Sequence, residues 1–245
     1  MKIHQFIARA AALALLSVTG SAMAQQTTAT IDVIGEITPP ACKIGFDGSG
    51  ELTFTRAFNA LDAGGTKLES QSIGMKVECD APTRVAVKLT DAKAASKIAY
   101  GDVASSSWGD LTAASNWPGS IFGLGTTPDK NGTPQKIGGF MIQVPNGDAT
   151  VDTVPGKMAG LQANDTLYYS GAAYRDSTLA TENDAIKNGY TFYTGGWKGT
   201  HTVPVAFATA STTLTVTPTI AKPVNLPASD QIQLDGLVNF ELRYL

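Results

Sequence analysis

Apolar and polar residues alternate over several short stretches of the chain, with the period of two that is typical of a half-buried β-strand. The clearest stretches are residues 73–79, 85–89 and 238–244, and shorter ones lie at 52–54, 140–144, 203–207 and 214–216. Turn-forming residues separate them, as at 80–83 and 145–148. Dense turns between short alternating strands predict an all-β sandwich.

The middle of the chain, from about residue 91 to residue 200, has a different character. Alternation weakens there, Gly, Ser, Asn and Asp become frequent, and all three tryptophans and six of the seven tyrosines lie in this range. We interpret it as long loops and extra hairpins inserted into one sandwich, not as a separate domain.

The first 24 residues have the three parts of a secretory signal peptide. Lys2 and Arg9 are positively charged, residues 10–18 form a short apolar run, and Ala22-Met23-Ala24 is a small-residue cleavage site. The apolar run is too short to span a bilayer, and the alternative is an ordinary N-terminal helix. We therefore predict export through the periplasm.

Cleavage after Ala24 would leave 221 of the 245 residues, a length that suits one large β domain or two small ones. Removing Lys2 and Arg9 from the 18 basic residues leaves 16 against 21 acidic residues, a net charge of about −5. This balance argues against a nucleic-acid partner, which requires a basic face.

The two cysteines, Cys42 and Cys79, both lie in the exported part of the chain. An oxidising compartment makes a single disulfide the expected state. The alternatives are a metal site or a catalytic thiol. Both are less favoured, because His201 would be the one remaining histidine and neither cysteine belongs to a Cys-x-x-Cys pair. We predict no metal and no cofactor.

A strand-like pattern also occurs close to the predicted mature N-terminus, in the sequence ATIDVIGEITPPAC (residues 29–42). Its small and apolar residues share one face of an extended chain. They are Ala29, Ile31, Val33, Gly35 and Ile37. No earlier strand exists for it to pair with after cleavage. One interpretation is that it is the first strand of the protein's own sandwich, and the other is that it pairs with a different molecule.

Three separated pieces of the chain resemble the pilin subunits of bacterial chaperone–usher fimbriae. Residues 29–42 are similar to a pilin N-terminal extension that runs into the first cysteine. IGMKVECDAPTRVAVKL (73–89) is similar to the strand with the second cysteine, its turn and the next strand. LDGLVNFELRYL (234–245) is similar to the closing strand. The middle of the chain is more similar to a related group of larger, poorly characterised secreted proteins found with chaperone–usher systems.

The resemblance implies an immunoglobulin-like sandwich that lacks its last strand and leaves an apolar groove open. Ala29, Ile31, Val33, Gly35 and Ile37 would be the donor strand that fills five pockets of a neighbouring subunit. The groove strand would carry four alternate residues that also bind the chaperone: Val238, Phe240, Leu242 and Tyr244.

The domains expected from the resemblance are a signal peptide (1–24), a donor extension (25–41) and a sandwich (42–245) with an insertion at about 91–200. The expected function is a structural and adhesive subunit of a surface fimbria, not an enzyme. Its partners would be a periplasmic chaperone, an outer-membrane usher and neighbouring pilin subunits.

A second hypothesis is a self-complete secreted or periplasmic binding protein that holds a host or surface glycan. Aromatic rings among short polar residues are typical of sugar sites. The candidates are Trp108, Trp117, Tyr193 and Trp197. The competing interpretation is that these rings pack under the loops as a satellite cluster. For catalysis the sequence offers little. A single histidine remains after cleavage of the signal peptide and no Gly-x-Ser-x-Gly motif is present, so a serine triad is improbable.

Overall fold

The alternating stretches on either side of Arg84 form two strands that belong to opposite layers of a β-sandwich. β3 (Gln71–Thr83) pairs with β1 (Cys42–Phe46) and β13 (Phe207–Ile220). β4 (Val85–Asp91) pairs with β11 (Thr191–Lys198) and β14 (Val238–Tyr244). The chain therefore crosses between the layers at Arg84. This is why both strands turn an apolar face toward one shared interior.

The structure is a computed structural model that describes residues 30–38, 40–108, 118–143, 149–161, 191–198, 201–227 and 231–245. For residues 118, 154–161, 191–198 and 201–204 it describes the backbone alone. The predicted signal peptide lies outside the described residues. Among the described residues, no helix is long and apolar enough to cross a membrane.

The remaining strands, in chain order, complete the set within these ranges. They are β1 (Cys42–Phe46), β2 (Thr66–Lys67), β5 (Phe122–Gly123), β6 (Thr126–Pro128), β7 (Pro134–Lys136), β8 (Gly138–Gln143), β9 (Ala149–Val151), β10 (Val154–Leu161), β11 (Thr191–Lys198), β12 (His201–Pro204), β13 (Phe207–Ile220) and β14 (Val238–Tyr244). Short 3₁₀ turns occupy Phe58–Ala60, Ala94–Ser96, Tyr100–Asp102, Ser105–Trp108, Pro118–Ser120 and Pro223–Asn225.

All the strand pairings that the structure describes are antiparallel. The main hydrogen-bonded path runs β1-β3-β13-β9-β10-β11-β4-β14. β10 carries this path from one layer to the other, because residues 154–156 pair with β9 and residues 157–161 pair with β11. The path does not close on itself, so β1 and β14 are its two ends.

The core lies between the two layers and draws on both. Met75 and Val77 of β3 and Leu214 of β13 contribute from one side, and Val87 and Leu89 of β4 contribute from the other. The same cluster includes residues of the predicted insertion, namely Phe122, Phe140, Ile142 and Val151. Residues 39–245 form one compact unit. The all-β sandwich predicted from the alternating pattern is confirmed.

A second, smaller apolar cluster is built around Trp108, whose side chain is fully buried. Ile98, Val103, Ile121, Met141 and Ala221 pack with it. The Tyr100 ring stacks on the indole at a centroid distance of 5.8 Å, and the Trp108 Nε1–H donates to the Tyr100 carbonyl at 3.0 Å. This satellite cluster attaches the loops at 94–108 to the outer surface of β8 and β13.

Candidate functional site: two open strand edges

β1 lies at one end of the sheet path and pairs with a single strand, β3. In this ladder Cys42 is directly opposite Cys79, with a Cα–Cα separation of 4.0 Å, and the two form the predicted disulfide. So short a separation marks a pair without mutual backbone hydrogen bonds. The disulfide therefore ties the first residue of β1 to the longer strand β3.

The backbone groups of β1 alternate between its inner edge, toward β3, and its outer edge. The Ala41 carbonyl accepts from the Asp80 N–H at 2.9 Å, and the Asp47 N–H donates to the Gly74 carbonyl at 2.9 Å, so odd-numbered residues bond to β3. The N–H and C=O groups of Cys42, Ile44 and Phe46 consequently point to the outer edge. No strand among the described residues pairs with that edge.

β14 is the opposite end of the path and pairs with β4 alone. The Ala92 N–H donates to the Leu237 carbonyl at 3.0 Å, and the Leu245 N–H donates to the Arg84 carbonyl at 2.9 Å. Odd-numbered residues of β14 thus bond toward β4. The backbone groups of Val238, Phe240, Leu242 and Tyr244 point away from it, to an edge that no described strand covers.

The two open edges approach each other at two points. The Tyr244 hydroxyl accepts a hydrogen bond from the Cys42 N–H at 2.9 Å. Four residues further along β1, the Phe46 ring meets the Phe240 ring edge-on at a centroid distance of 4.9 Å. Since Cys42 faces Tyr244 and Phe46 faces Phe240, β1 and β14 run in opposite directions past each other.

Apolar side chains line both open edges and are only partly covered. They pack against the main core, yet each keeps exposed surface: Ile44, Phe46, Val238, Phe240 and Leu242. Ile232 and Leu234, just before β14, continue the same half-buried pattern. A row of half-covered apolar residues next to unpaired backbone groups is chemically suited to accept one more strand.

The predicted donor residues fall in a separate unit of the chain that ends at Thr38. Residues 30–38 contain no strand, and the apolar side chains there are almost entirely exposed: Ile31 90%, Val33 94%, Ile34 92% and Ile37 98%. Gly35 has no atom near the position that a Cβ would take. Ala29 lies outside the described residues. Four large apolar side chains are therefore exposed to solvent within nine residues.

Of the aromatic residues predicted for glycan binding, Trp108 has no ring face available to a ligand. Its fully buried side chain belongs to the satellite cluster, which was the competing interpretation of these rings. Trp117 lies outside the described residues. Tyr193 and Trp197 lie on β11, where the backbone alone is described, so their contribution to a glycan site stays a prediction.

Charged residues on the outer surface of β1 and β3 form a small ion cluster beside the disulfide. The Lys43 ammonium lies 2.8 Å from the Glu78 carboxylate, and Lys76 pairs with the other oxygen of the same group. Hydrogen bonds from Lys43 and then Lys76, with their positive charges, lower the pKa of Glu78 to about 2. The Glu78 carboxylate in turn raises the pKa of Lys43. No group of three or more potential metal ligands occurs among the described residues.

Two residues of the open edge were not predicted from the sequence, namely Ile44 and Phe46 of β1. The signal was present, because Cys42, Ile44 and Phe46 alternate with Lys43 and Gly45. The stretch is only five residues long, however, and its pairing with β3 is a long-range contact. The predicted groove residues Val238, Phe240 and Leu242 do lie on the partly covered face of β14, and Tyr244 lies at its end.

Comparison with known proteins gives two similarities. Residues 31–141 match a family described as "Protein of unknown function (DUF1120)". The chain is also similar to Protein GltF of Escherichia coli (strain K12). The two are 27% identical over an alignment of 256 positions, which includes 96% of this chain and 96% of that protein.

Proposed function

We propose that this protein is a structural and adhesive subunit of a surface fimbria, exported through the periplasm and assembled by strand donation. The observation that carries the proposal is the pair of open, apolar strand edges on β1 and β14. An uncovered apolar edge of this kind is a template for pairing with a further strand. A periplasmic chaperone would cover it first, and a neighbouring subunit delivered by an outer-membrane usher would cover it afterwards.

The chain also contains a segment with the properties of such a covering strand. Ile31, Val33, Gly35 and Ile37 share one face, and the three large side chains among them are more than 89% exposed. Burying Ile31, Val33 and Ile37 would contribute about 5–9 kcal/mol before ordering costs, at about 1.5–3 kcal/mol for each side chain. Residues 31–37 and β14 each have seven residues, so their lengths match.

The test measures whether the groove accepts a strand from outside. The mature chain from Gln25 onward, carrying Val33→Asp so that its own segment no longer competes, is mixed with a synthetic peptide of residues 25–39. The melting temperature should rise with peptide concentration, because a ligand that binds only the folded state stabilises it. The same peptide with Val33→Asp should give no rise.

The alternative function makes the opposite prediction. A self-complete binding protein would unfold cooperatively at a high temperature without any peptide, and the peptide would change nothing. That result would overturn the fimbrial proposal. The next measurement would then be glycan binding, with Trp197→Ala and Tyr193→Ala as the first variants.

A further inference from the structure

Residues 31–37 are close in the chain to the open edge of β1. The nearest groove that this segment could enter is therefore that of its own molecule. The structure already continues the β1–β3 ladder to Ala41, whose carbonyl accepts from Asp80. Ile37 is the last of the predicted donor residues, and the unit of the chain that contains it ends at Thr38. Only Pro39 and Pro40 lie between Thr38 and Ala41.

If residues 31–37 paired with β1 of the same molecule, the two would form an antiparallel hairpin. Its register would place the apolar residues of the segment opposite those of β1. The backbone groups of Cys42, Ile44 and Phe46 point to the outer edge of β1, so the closing hydrogen-bonded pair would be Ile37 and Cys42. The Cys42 N–H would exchange its bond to the Tyr244 hydroxyl for a bond to Ile37. Gly35 would then stand opposite Ile44 and Val33 opposite Phe46. Residues directly opposite in an antiparallel pair share a face, so the apolar side chains of the segment would point to the core.

The loop that this hairpin needs is Thr38-Pro39-Pro40-Ala41, and its two central residues are incompatible with the common turns. A type I turn disfavours proline in its third position, because Pro40 forces Pro39 out of the right-handed helical region. Types II, I′ and II′ each require a positive φ at one or both central residues, and proline is fixed near −65°. A type VI turn would need a cis bond before Pro40, which is the minor isomer.

We infer that Pro39-Pro40 is a built-in barrier to self-insertion, and that it directs residues 31–37 to the open edge of a second copy of this chain. The inference rests on the proposed function and names the partner. One molecule then presents a strand at one end and an edge at the other. Contacts of this head-to-tail kind do not close on themselves and lead to linear polymers.

The experiment uses the full mature chain and one double variant, P39G/P40G, which removes the restriction on φ. A matched control adds V33D to the same double variant, so that the linker is flexible but the segment cannot fill an apolar groove. The readouts are the dissociation constant for the synthetic peptide of residues 25–39, and the mass distribution in solution at increasing protein concentration.

The unaltered chain should bind the peptide and form multimers as its concentration rises. P39G/P40G should be monomeric and should bind the peptide at least tenfold more weakly, because a tethered strand competes at an effective concentration in the millimolar range. P39G/P40G/V33D should recover peptide binding. A P39G/P40G chain that forms multimers and binds peptide as well as the unaltered chain does would overturn the inference.

Two further outcomes separate this inference from the proposed function. If the V33D chain responds to peptide but the unaltered chain is a monomer that ignores it, the segment already fills its own groove. The linker is then no barrier, although strand donation stands. If neither chain responds to peptide at any concentration, the proposed function fails and this inference fails with it.

Discussion

The Cys42 N–H donates to the Tyr244 hydroxyl at 2.9 Å, across the gap between the two strands that end the sheet path. Cys42 is the first residue of β1 and Tyr244 is the last residue of β14, and 202 positions separate them in the chain. This bond closes one end of the open edge. It also satisfies one of the outward N–H groups of β1 with a side chain in place of a strand.

Replacing Tyr244 with phenylalanine tests this bond. Y244F should lower the free energy of unfolding by about 0.5–1.5 kcal/mol, the usual net worth of such a hydrogen bond. A value near the lower limit is expected, because the Tyr244 side chain is 42% exposed and water can replace the hydroxyl. Urea unfolding measures the effect. Y100F is the matched control, since it keeps the ring that stacks on Trp108, and an equal loss in both variants would contradict the assignment.

Removing the Cys42–Cys79 disulfide should destabilise the sandwich by about 3–4 kcal/mol in the chain-entropy model, since the bond closes a loop of 37 positions. The variant is C42A/C79A, and the measurement is urea unfolding of both chains in the absence of reductant. Added dithiothreitol should destabilise the unaltered chain and leave the variant unchanged. A variant as stable as the unaltered chain would show that β1 holds its place without the bond.

Glu78 should make stability depend on pH in an acidic window. Its folded-state pKa, about 2, lies below its ordinary value of 4.5, so its contribution is complete above pH 4.5 and is lost as the pH falls toward 2. The difference in unfolding free energy between the unaltered chain and E78Q should therefore shrink across this window. Because Lys43 and Lys76 are exposed, 1 M salt should also reduce the difference. A difference that is constant from pH 6 to pH 2 would contradict the ion cluster.

Gly65 and Gly132 form a matched pair for testing backbone strain against packing. Both have a positive φ, +101° and +81°, but a Cβ on Gly65 would lie 2.6 Å from a Val103 methyl group, whereas a Cβ on Gly132 would meet nothing within 4 Å. G132A should cost about 1–2 kcal/mol for the left-handed conformation alone. G65A should cost a further 1–3 kcal/mol, roughly, for overpacking beside the satellite cluster. Equal losses on thermal unfolding would show that Val103 moves aside without cost.

Alternation was sufficient to predict the strands that carry the core, and the reason is physical. In residues 73–79, 85–89 and 238–242 every second residue is apolar and packs in one shared interior, so the period of two is visible in the sequence. Leu52 and Phe54 alternate in the same way, yet residues 51–57 form no strand. A strand requires a partner as well as a pattern, and the partner is not encoded locally.

The sequence around Trp108 did not decide between burial and exposure of this side chain, for the same reason. Trp108 lies in a polar, loop-like sequence, and its neighbours suggest exposure. It is buried because Ile121 and Met141, which are 13 and 33 positions later in the chain, pack against it. The edge residues Ile44 and Phe46 likewise depend on β14, which the chain reaches some 190 positions later.

The position of the disulfide has a mechanical consequence. Any pull on residues 30–38 enters the sandwich at β1, which has a ladder of only five positions with β3 and which tension could peel away one pair at a time. The Cys42–Cys79 bond lies at the first of these pairs, so the load passes to β3 before the peeling can start. β3 is held in turn by β13 over a much longer register, from Gln71 to Thr83. The disulfide thus makes this short edge strand a tether that transmits force to β3 and, through β3, to β13.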